Sequence, residues 1–382
     1  MLIGRGRKHG PIGLDLGSTG VRMIQFADAM GDPVVQAATH FELPPGITDA
    51  RERAEMLERA VKDAMATRPF CGREVVAGLG LSEFQMKSIR LPKMPPEELA
   101  AAVEFEAQDR FDMGGKPAQV RFFSAGEVRH GTEIKEEILV FAATQEAVTS
   151  KVEMLQALGL KPTAVDVTPC AVARSFIRFL RRSEDAASVN VFLDVGGRGS
   201  SIVITRGTDI CFVKLLDVGG EQMNAAVAKA LNLSPDQAAE LRVRILHESA
   251  SSASKADNTI PDEIRARAAD AIRPIAERIC RDMQLCLRYL AVTFRGQRPG
   301  TLTLVGGEAH EPELHRAFSA SVDIPCTIGH PLRGMAGIEQ ALSRDERTLA
   351  PAWSVATGLA LRGANCIRTS TQVCGAVSAP VA

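Results

Sequence analysis

Two stretches of the chain repeat one pattern: Gly13-Leu-Asp-Leu-Gly-Ser-Thr-Gly-Val-Arg-Met-Ile near the N-terminus and Phe192-Leu-Asp-Val-Gly-Gly-Arg-Gly-Ser-Ser-Ile-Val near the middle. Each begins as a β-strand, reaches an aspartate, passes through a turn of small residues and resumes as a second strand. A single Asp-x-Gly turn is an ordinary hairpin turn more often than a phosphate site. Because the pattern occurs once in each half, we predict two hairpin tips that face each other and clamp a phosphate.

The residue types at both tips suit a phosphate and a metal ion. Glycine lets the backbone approach an anion closely and point successive N–H groups at its oxygens. Asp15 and Asp194 lie at the strand ends, where a carboxylate can hold Mg²⁺, usually through the waters of the ion. The glycines are Gly17, Gly20, Gly196, Gly197 and Gly199, and the hydroxyl donors are Ser18, Thr19, Ser200 and Ser201.

A third stretch, Thr301-Leu-Thr-Leu-Val-Gly-Gly-Glu-Ala-His, has the pattern of a buried strand that runs into a Gly-Gly turn. A helix is predicted to follow from about Glu311. Such a turn lets backbone lie against a flat ring or an α-phosphate, although by itself it could be a tight strand-to-helix turn. In this order, the three stretches resemble the phosphate-1, phosphate-2 and adenosine motifs of the actin-like ATPase superfamily.

The elements around the two hairpins also repeat. The first strands, a helix at residues 50–66 and a strand at residues 75–79 follow the β-β-β-α-β order of a ribonuclease-H-like half domain. The order begins again at the second hairpin. The second set comprises strands within 191–204 and at 209–217, a helix at 220–231 and a strand at 302–305. The predicted fold class is therefore α/β: a duplicated ribonuclease-H-like, actin-like ATPase fold with an inserted α+β subdomain.

The insert, residues 81–158, has a pattern of its own. Its predicted elements are a strand at 86–91, a helix at 97–110, a hairpin within 121–143 and a helix at 146–158. Prolines end the strand before the helix, which is acidic and amphipathic, with apolar Leu99, Val103 and Phe105. The alternative is an elaborated loop, but the length and the apolar faces favour a small α+β domain.

Composition favours a soluble protein of more than one domain, because 382 residues exceed the size at which one core usually keeps growing. The formal charge of -1 gives no broad attraction for nucleic acid. The apolar runs are too short to cross a bilayer and no signal peptide is evident, so we expect the cytoplasm. Eight cysteines without a Cys-x-x-Cys pair favour buried free thiols over disulfides or zinc.

Further segments narrow the resemblance to the PilM family of type IV pilus assembly proteins, over about residues 11–363. The segments are Leu91-Pro-Lys-Met-Pro-Pro-Glu-Glu-Leu, Gly159-Leu-Lys-Pro-Thr-Ala-Val-Asp-Val-Thr-Pro-Cys, Val218-Gly-Gly-Glu-Gln-Met-Asn and Ala350-Pro-Ala-Trp-Ser-Val-Ala-Thr-Gly-Leu. The resemblance implies the layout of FtsA, in which the insert is subdomain 1C. The implied partition is 1–80, 159–188 and 345–363 as subdomain 1A, 81–158 as 1C, and 189–344 as the second domain, with 2B at about 233–295.

The resemblance also implies a function. Members of this family bind ATP with Mg²⁺ in the interdomain cleft. They hold the short cytoplasmic N-terminus of the membrane protein PilN in a groove between subdomains 1A and 1C, here near residues 76–81 and 86–111. The implied protein is a cytoplasmic scaffold on the inner-membrane platform of a type IV pilus or related system. It could assemble as a ring or filament, and it would reach the membrane only through its partner.

The resemblance assigns roles to individual residues. The phosphates and the metal would lie between the two hairpins, the ribose and phosphates near Gly219 and Gly220, and the base against the helix at 235–244, where Glu240 is the candidate. The adenosine would approach Gly306, Gly307 and Glu308. The hairpin residues with assigned roles are Asp15, Gly17, Ser18, Thr19 and Gly20 on one side and Asp194, Gly196 and Gly197 on the other, with Asp15 and Asp194 at the metal.

Two positions depart from the family pattern. Arg198-Gly199 stands where the family commonly has an acidic residue and then threonine; Arg198 either neutralises γ-phosphate charge or points to solvent. Neither role supplies a general base, so we expect ATP binding with at most weak hydrolysis. Arg22, where lysine is common, keeps a cation next to the first loop.

Two polar segments complete the chain. The serine-rich stretch at 247–262 is predicted to be a mobile loop, and the tail at 364–382 is predicted to be disordered. The tail lacks the amphipathic membrane helix of FtsA-like proteins, which weakens the alternative of a division filament. A small-molecule kinase of the same superfamily is the other alternative, but the insert shows no pattern of a polar substrate pocket.

Overall fold

A computed structural model of the protein describes residues 9–29, 32–44, 47, 49–130, 133–250, 260–293 and 298–363. The tail at 364–382 and most of the serine-rich stretch lie outside these ranges, so both predictions for them remain predictions.

The first half folds around a mixed sheet that begins with the first Asp-x-Gly hairpin. Its elements are β1 (Ile12–Leu16), β2 (Gly20–Ala29), β3 (Asp32–Glu42), α1 (Ala50–Thr67) and β4 (Glu74–Leu79). Strand β1 is central, because it pairs antiparallel with β2 and parallel with β4. Helix α1 begins at Asp49, whose carboxylate accepts a hydrogen bond from the backbone N–H of Glu52 at 2.7 Å.

The insert forms a three-stranded antiparallel sheet with one helix on a face. Its elements are β5 (Gln85–Pro92), α2 (Pro96–Arg110), β6 (Ala118–His130), β7 (Glu133–Thr144) and α3 (Gln145–Ala157), with β7 between β5 and β6. Leu99 and Val103 of α2 pack on the sheet in a core of their own. Phe105 is 67% exposed, so its prediction as part of the buried face is wrong. The helix turns that position away from the sheet.

The chain then returns to the first sheet and builds the second. The elements are β8 (Lys161–Val167), α4 (Thr168–Ile177), β9 (Val189–Val195), β10 (Ser200–Arg206), β11 (Asp209–Leu216), α5 (Gly220–Leu231), α6 (Pro235–Ala250), α7 (Asp262–Thr293), β12 (Thr301–Val305), α8 (Pro312–Ser321), β13 (Cys326–Ile328), α9 (Ile338–Ala341), α10 (Arg344–Thr348) and α11 (Ser354–Ala360).

The two large sheets have the same topology. Their strand orders are β3-β2-β1-β4-β8 and β11-β10-β9-β12-β13. The hairpins also share their register, because Asp15 pairs with Arg22 at the same spacing as Asp194 pairs with Ser201. The prediction of a duplicated ribonuclease-H-like fold is confirmed. Since parallel neighbours flank β1 and β9, the ends of β4 and β12 lie beside the two hairpin tips.

The insert is tied to the second half by polar and apolar contacts. Glu137 of β7 is 3% exposed and accepts hydrogen bonds from Ser88, from Arg90 Nε at 2.8 Å and from Tyr289 Oη at 2.7 Å. Tyr289 belongs to α7. On the same side of the insert sheet, Phe141 is part of the core that contains the second large sheet.

No helix within the described ranges is long and apolar enough to span a membrane. The six described cysteines are free; Cys211, Cys280 and Cys286 are buried, and the other three are partly exposed.

Helices α4 and α11 cross at a glycine. A Cβ on Gly358 would lie 1.8 Å from the carbonyl oxygen of Ala171. Alanine in place of a helical glycine normally stabilises a helix by about 1 kcal/mol. Here we expect Gly358→Ala to lower the free energy of unfolding by about 1–3 kcal/mol because the helices must separate. Urea denaturation measures this, with Gly300→Ala as the control, since its Cβ would meet nothing within 4 Å. A Gly358→Ala protein as stable as wild type would contradict this packing.

Candidate functional site

The two hairpin tips meet. A Cβ on Gly197 would lie 2.3 Å from Ser18 Oγ and 3.0 Å from Thr19 Cγ2. The structure therefore brings the two Asp-x-Gly loops into contact, and a larger residue at Gly197 would force the side chains of Ser18 and Thr19 to move. Gly17 lies in the first loop, and its carbonyl accepts a hydrogen bond from Arg53 Nη2 of α1 at 2.8 Å.

Glycines also join the other two segments to the second tip. A Cβ on Gly219 would lie 2.4 Å from the carbonyl oxygen of Gly196, and one on Gly306 would lie 2.4 Å from Asp194 Oδ1. Gly306 has φ +90°, which favours glycine. The Gly-Gly segment before α5 and the Val-Gly-Gly turn after β12 thus lie directly against the second loop.

The two aspartates are buried carboxyl groups whose negative charges are unfavourable in this environment. Burial raises the pKa of Asp15 from the usual 3.8 to about 6, against the opposing charges of Arg22 and Lys151. Burial, reinforced by the charge of Asp15, raises the pKa of Asp194 to about 7. Neither carboxylate has an ion-pair partner within 4 Å in the described part of the chain. Two carboxylates so placed favour a shared cation or a shared proton.

Lys151 of α3 approaches this pair from the insert. It forms an ion pair with Glu83 at 2.9 Å, and the other oxygen of Glu83 accepts from the backbone N–H of Gly80 at 2.7 Å. Because Lys151 lowers the pKa of Asp15, the base of the insert is electrostatically linked to the first loop.

Arg198 lies at the tip of the second loop and faces the surface. It is 60% exposed and pairs with Glu221 of α5 at 3.1 Å. The backbone N–H of Glu221 donates to the carbonyl of Gly197 at 2.8 Å, so the loop is also held to the start of α5. The guanidinium is therefore engaged with a surface carboxylate.

The turn after β12, Val305-Gly306-Gly307-Glu308, borders open space at Gly307 and packs against the start of α5 at Glu308. A Cβ on Gly307 would meet nothing within 4 Å, whereas one on Gly220 would lie 2.1 Å from Glu308 Oε1. Glu308 is held by Arg242 of α6 at 2.6 Å, and Arg242 also donates to the carbonyl of Gly220 at 3.2 Å. Arg242 is thus a buried side chain of α6 that borders the site.

Most of the residues assigned from the sequence lie together, and Glu240 does not join them. Glu240 is exposed on α6, two positions before Arg242. Position 20 also requires glycine for a structural reason, because a Cβ there would lie 2.0 Å from the carbonyl oxygen of Phe41 in β3. The residues brought together are Asp15, Gly17, Ser18, Thr19, Gly20, Arg22, Asp194, Gly196, Gly197, Gly219, Gly220, Gly306, Gly307 and Glu308.

The site suits a hard cation with an anionic ligand. Within the described ranges, no group of three or more His, Cys, Asp and Glu side chains is placed to hold a metal ion. Two carboxylates alone would leave most positions around Mg²⁺ to water and phosphate oxygens, which is the usual arrangement for this ion. The buried carboxylates without an ion-pair partner and the glycine-lined loops both fit such a complex.

Sequence reasoning missed Arg53, Lys151 and Arg242. Each lies on a helix in a charged stretch, where the sequence pattern also fits a solvated face. Their placement depends on how the helices pack on the sheets. The one sequence signal for Arg242 was the pair Glu308 and Glu311, two carboxylates that require a cation if they are buried.

The family model for the type IV pilus assembly protein PilM matches residues 13–364. A solved structure of a PilM-PilN type IV pilus biogenesis complex is 23% identical, with 93% of this chain and 98% of that chain covered and a TM-score of 0.74. The ethanolamine utilization protein EutJ from Carboxydothermus hydrogenoformans is 12% identical, with 93% and 89% covered and a TM-score of 0.51.

Both structures share the fold, and the family match covers nearly the whole chain, so the resemblance seen in the sequence is confirmed. This chain belongs to the PilM family of type IV pilus assembly proteins and has the actin-like ATPase fold.

Proposed function

We propose that this protein binds ATP with Mg²⁺ between its two halves and acts as a cytoplasmic scaffold in the assembly of a type IV pilus or related system. One observation carries the nucleotide proposal. Two carboxylates with raised pKa values, Asp15 and Asp194, meet where two glycine-rich loops touch, and neither has an ion-pair partner in the described structure. A magnesium–phosphate complex would resolve that conflict of charge.

The residues around this point suit the parts of a nucleotide. The loop N–H groups and the hydroxyls of Ser18 and Thr19 would bind phosphate oxygens, while Asp15 and Asp194 would hold the ion through its waters. The open face at Gly307 suits a flat base or sugar. Bound Mg²⁺ would neutralise charge between the phosphates and the carboxylates.

We propose that the nucleotide serves binding more than turnover. The tip of the second loop carries Arg198, which pairs with Glu221 at the surface and cannot accept a proton from water. ATP held in this way would keep the two halves of the molecule together. It would thereby fix the insert, which contacts both halves.

We propose that a PilN-like membrane protein is the partner, bound by its N-terminal cytoplasmic peptide between subdomains 1A and 1C. Two facts support this: the family membership, and the PilM-PilN complex among similar folds. Phe105 adds a third, because it is 67% exposed on α2 of the insert, within the segment expected to border the groove. A large apolar side chain exposed there suits contact with an apolar peptide. Through this partner the scaffold would lie at the inner membrane, where copies could assemble as a ring or filament.

The charge conflict predicts a pH-dependent effect of Asp194→Asn without nucleotide or magnesium. The folded-state pKa values of Asp15 and Asp194 are raised, so the stability they contribute is complete below about pH 4 and is lost as the pH rises to about 7. The variant removes one of these charges. Urea denaturation measures the free energy of unfolding of the variant minus that of the wild type. This difference should be larger at pH 8 than at pH 5 by on the order of 2 kcal/mol, in favour of the variant.

The same variant should lose the ligand effect. ATP with Mg²⁺ at 100 times its Kd should stabilise the wild type by about 2.7 kcal/mol, seen as a higher Tm, and Asp194→Asn should not respond. Asp323→Asn is the matched control, because Asp323 is an exposed aspartate beyond the end of α8 and is not one of the residues assigned to the site. A wild-type Tm unmoved by millimolar ATP and Mg²⁺ would refute nucleotide binding, and a variant that keeps the response would refute the role of Asp194.

The partner site predicts that Phe105→Ala weakens binding of the N-terminal peptide of the PilN-type protein from the same genome by about ten-fold. Val292→Ala is the control, because Val292 is 83% exposed on α7 of the second half. Neither exposed position should affect folding. Fluorescence anisotropy with labelled peptide measures both affinities, and equal losses in the two variants would contradict the location of the groove.

A further inference from the structure

A buried ion cluster beside the Val-Gly-Gly turn holds one more carboxylate than it has cations. Arg242 is 2% exposed and donates through Nη2 to Glu308 Oε2 at 2.6 Å and to Glu311 Oε2 at 2.8 Å. As whole residues, Glu308 is 9% exposed and Glu311 is 2% exposed. One guanidinium therefore faces two carboxylates. Burying a carboxylate without a full counter-charge is costly, so the second one needs a physical reason.

Glu311 has a structural role, which leaves Glu308 as the surplus. Glu311 precedes α8, and its Oε1 accepts from the backbone N–H of Glu313 at 3.3 Å as an N-cap. Glu308 uses Oε2 for Arg242, whereas its Oε1 has no hydrogen-bond partner among the described residues. The Glu308 side chain keeps 12% of its surface exposed. It is fixed at one oxygen and open at the other.

The open oxygen lies inside the candidate nucleotide site. Oε1 of Glu308 is 2.1 Å from where a Cβ on Gly220 would be, so a side chain at that position would displace the carboxylate from its present place. The backbone N–H of Glu308 donates to the carbonyl of Val195 at 3.1 Å, one residue after Asp194. Gly307, the preceding residue, borders open space. The carboxylate therefore lies beside the second loop, and its residue follows directly in the chain after the glycine that borders open space.

A carboxylate oxygen only accepts hydrogen bonds, and it repels phosphate. Between the phosphates and the base of a ribonucleotide, the available donors are the ribose hydroxyls. We propose that Glu308, positioned by Arg242, accepts a hydrogen bond from a ribose hydroxyl and so selects ribonucleotides over deoxyribonucleotides. This inference rests on the proposed ATP binding and narrows it. Arg242 is a positioning residue, because its contacts fix Glu308 against Gly220 without reaching the sugar.

The test is isothermal titration of the full chain with magnesium complexes of ATP, 2′-deoxy-ATP and 3′-deoxy-ATP. In the wild type, at least one deoxy analogue should bind about ten-fold more weakly than ATP. In Glu308→Ala, the affinity for ATP should fall to that for the weaker analogue, while the affinity for the analogue itself should be unchanged. The ratio of the two affinities should therefore fall to about 1. The variant leaves Arg242 and Glu311 as a neutral pair, and its Tm should stay close to that of the wild type. Glu339→Ala, at a remote exposed site, should keep the ratio.

Arg242→Lys tests positioning. Lysine keeps the positive charge but cannot present the forked donors of a guanidinium to several acceptors at once. We expect a smaller preference for ATP over the weaker analogue, with the affinity for that analogue unchanged. A merely structural role would weaken all three nucleotides equally.

The outcomes separate the two proposals. Equal wild-type affinities for ATP and both analogues, or a preference that survives in Glu308→Ala, would overturn the ribose inference and leave ATP binding intact. Binding of none of the three nucleotides would overturn both the inference and the proposed function.

Discussion

The central constraint on this site is that two carboxylates, Asp15 and Asp194, are buried near each other. They lie at the ends of equivalent strands in the two halves. Burial raises the pKa of both groups, and the charge of Asp15 raises the pKa of Asp194 further, so the free molecule holds the two carboxylates buried at a cost in stability near neutral pH. Natural sequences commonly retain such conflicts at binding sites, where a ligand supplies the missing charge. In this protein the missing charge is positive, and the surrounding backbone favours a phosphate. Together these requirements match the metal–nucleotide complex that we propose for this site.

Close contacts at glycine hold the parts of the site in place. Gly197 meets Ser18 across the two loops, and Gly306 meets the Asp194 carboxylate. These are tertiary constraints, and they explain why the loops and the Val-Gly-Gly turn share a composition although they lie far apart in the chain. The Arg242 cluster extends the same assembly to α6, so four segments of the second half converge on one point.

The sequence was sufficient for the parts of the fold that repeat. Two Asp-x-Gly hairpins predicted two halves, and the common register of Asp15 and Asp194 follows from their identical spacing. The side chains that helices send into the site could not be predicted in the same way. Arg242 was missed and Glu240 was chosen, because both lie on one charged helix and only its packing decides which enters. The prediction that Phe105 is buried was wrong for the same reason. The apolar pattern of α2 was too short to show which face of the helix packs on the sheet.

The insert, where we propose that the partner peptide binds, is connected to both halves. It is linked to the first loop through Lys151 and to the second half through Glu137 and Tyr289, so it contacts both sides of the clamp. The most direct measurement is a crystal structure grown with Mn²⁺ and a non-hydrolysable ATP analogue, with the metal located by its anomalous scattering. We expect one manganese peak between Asp15 and Asp194, with the phosphates between the two hairpin tips. A nucleotide bound elsewhere, or a metal site that involves neither aspartate, would contradict the clamp.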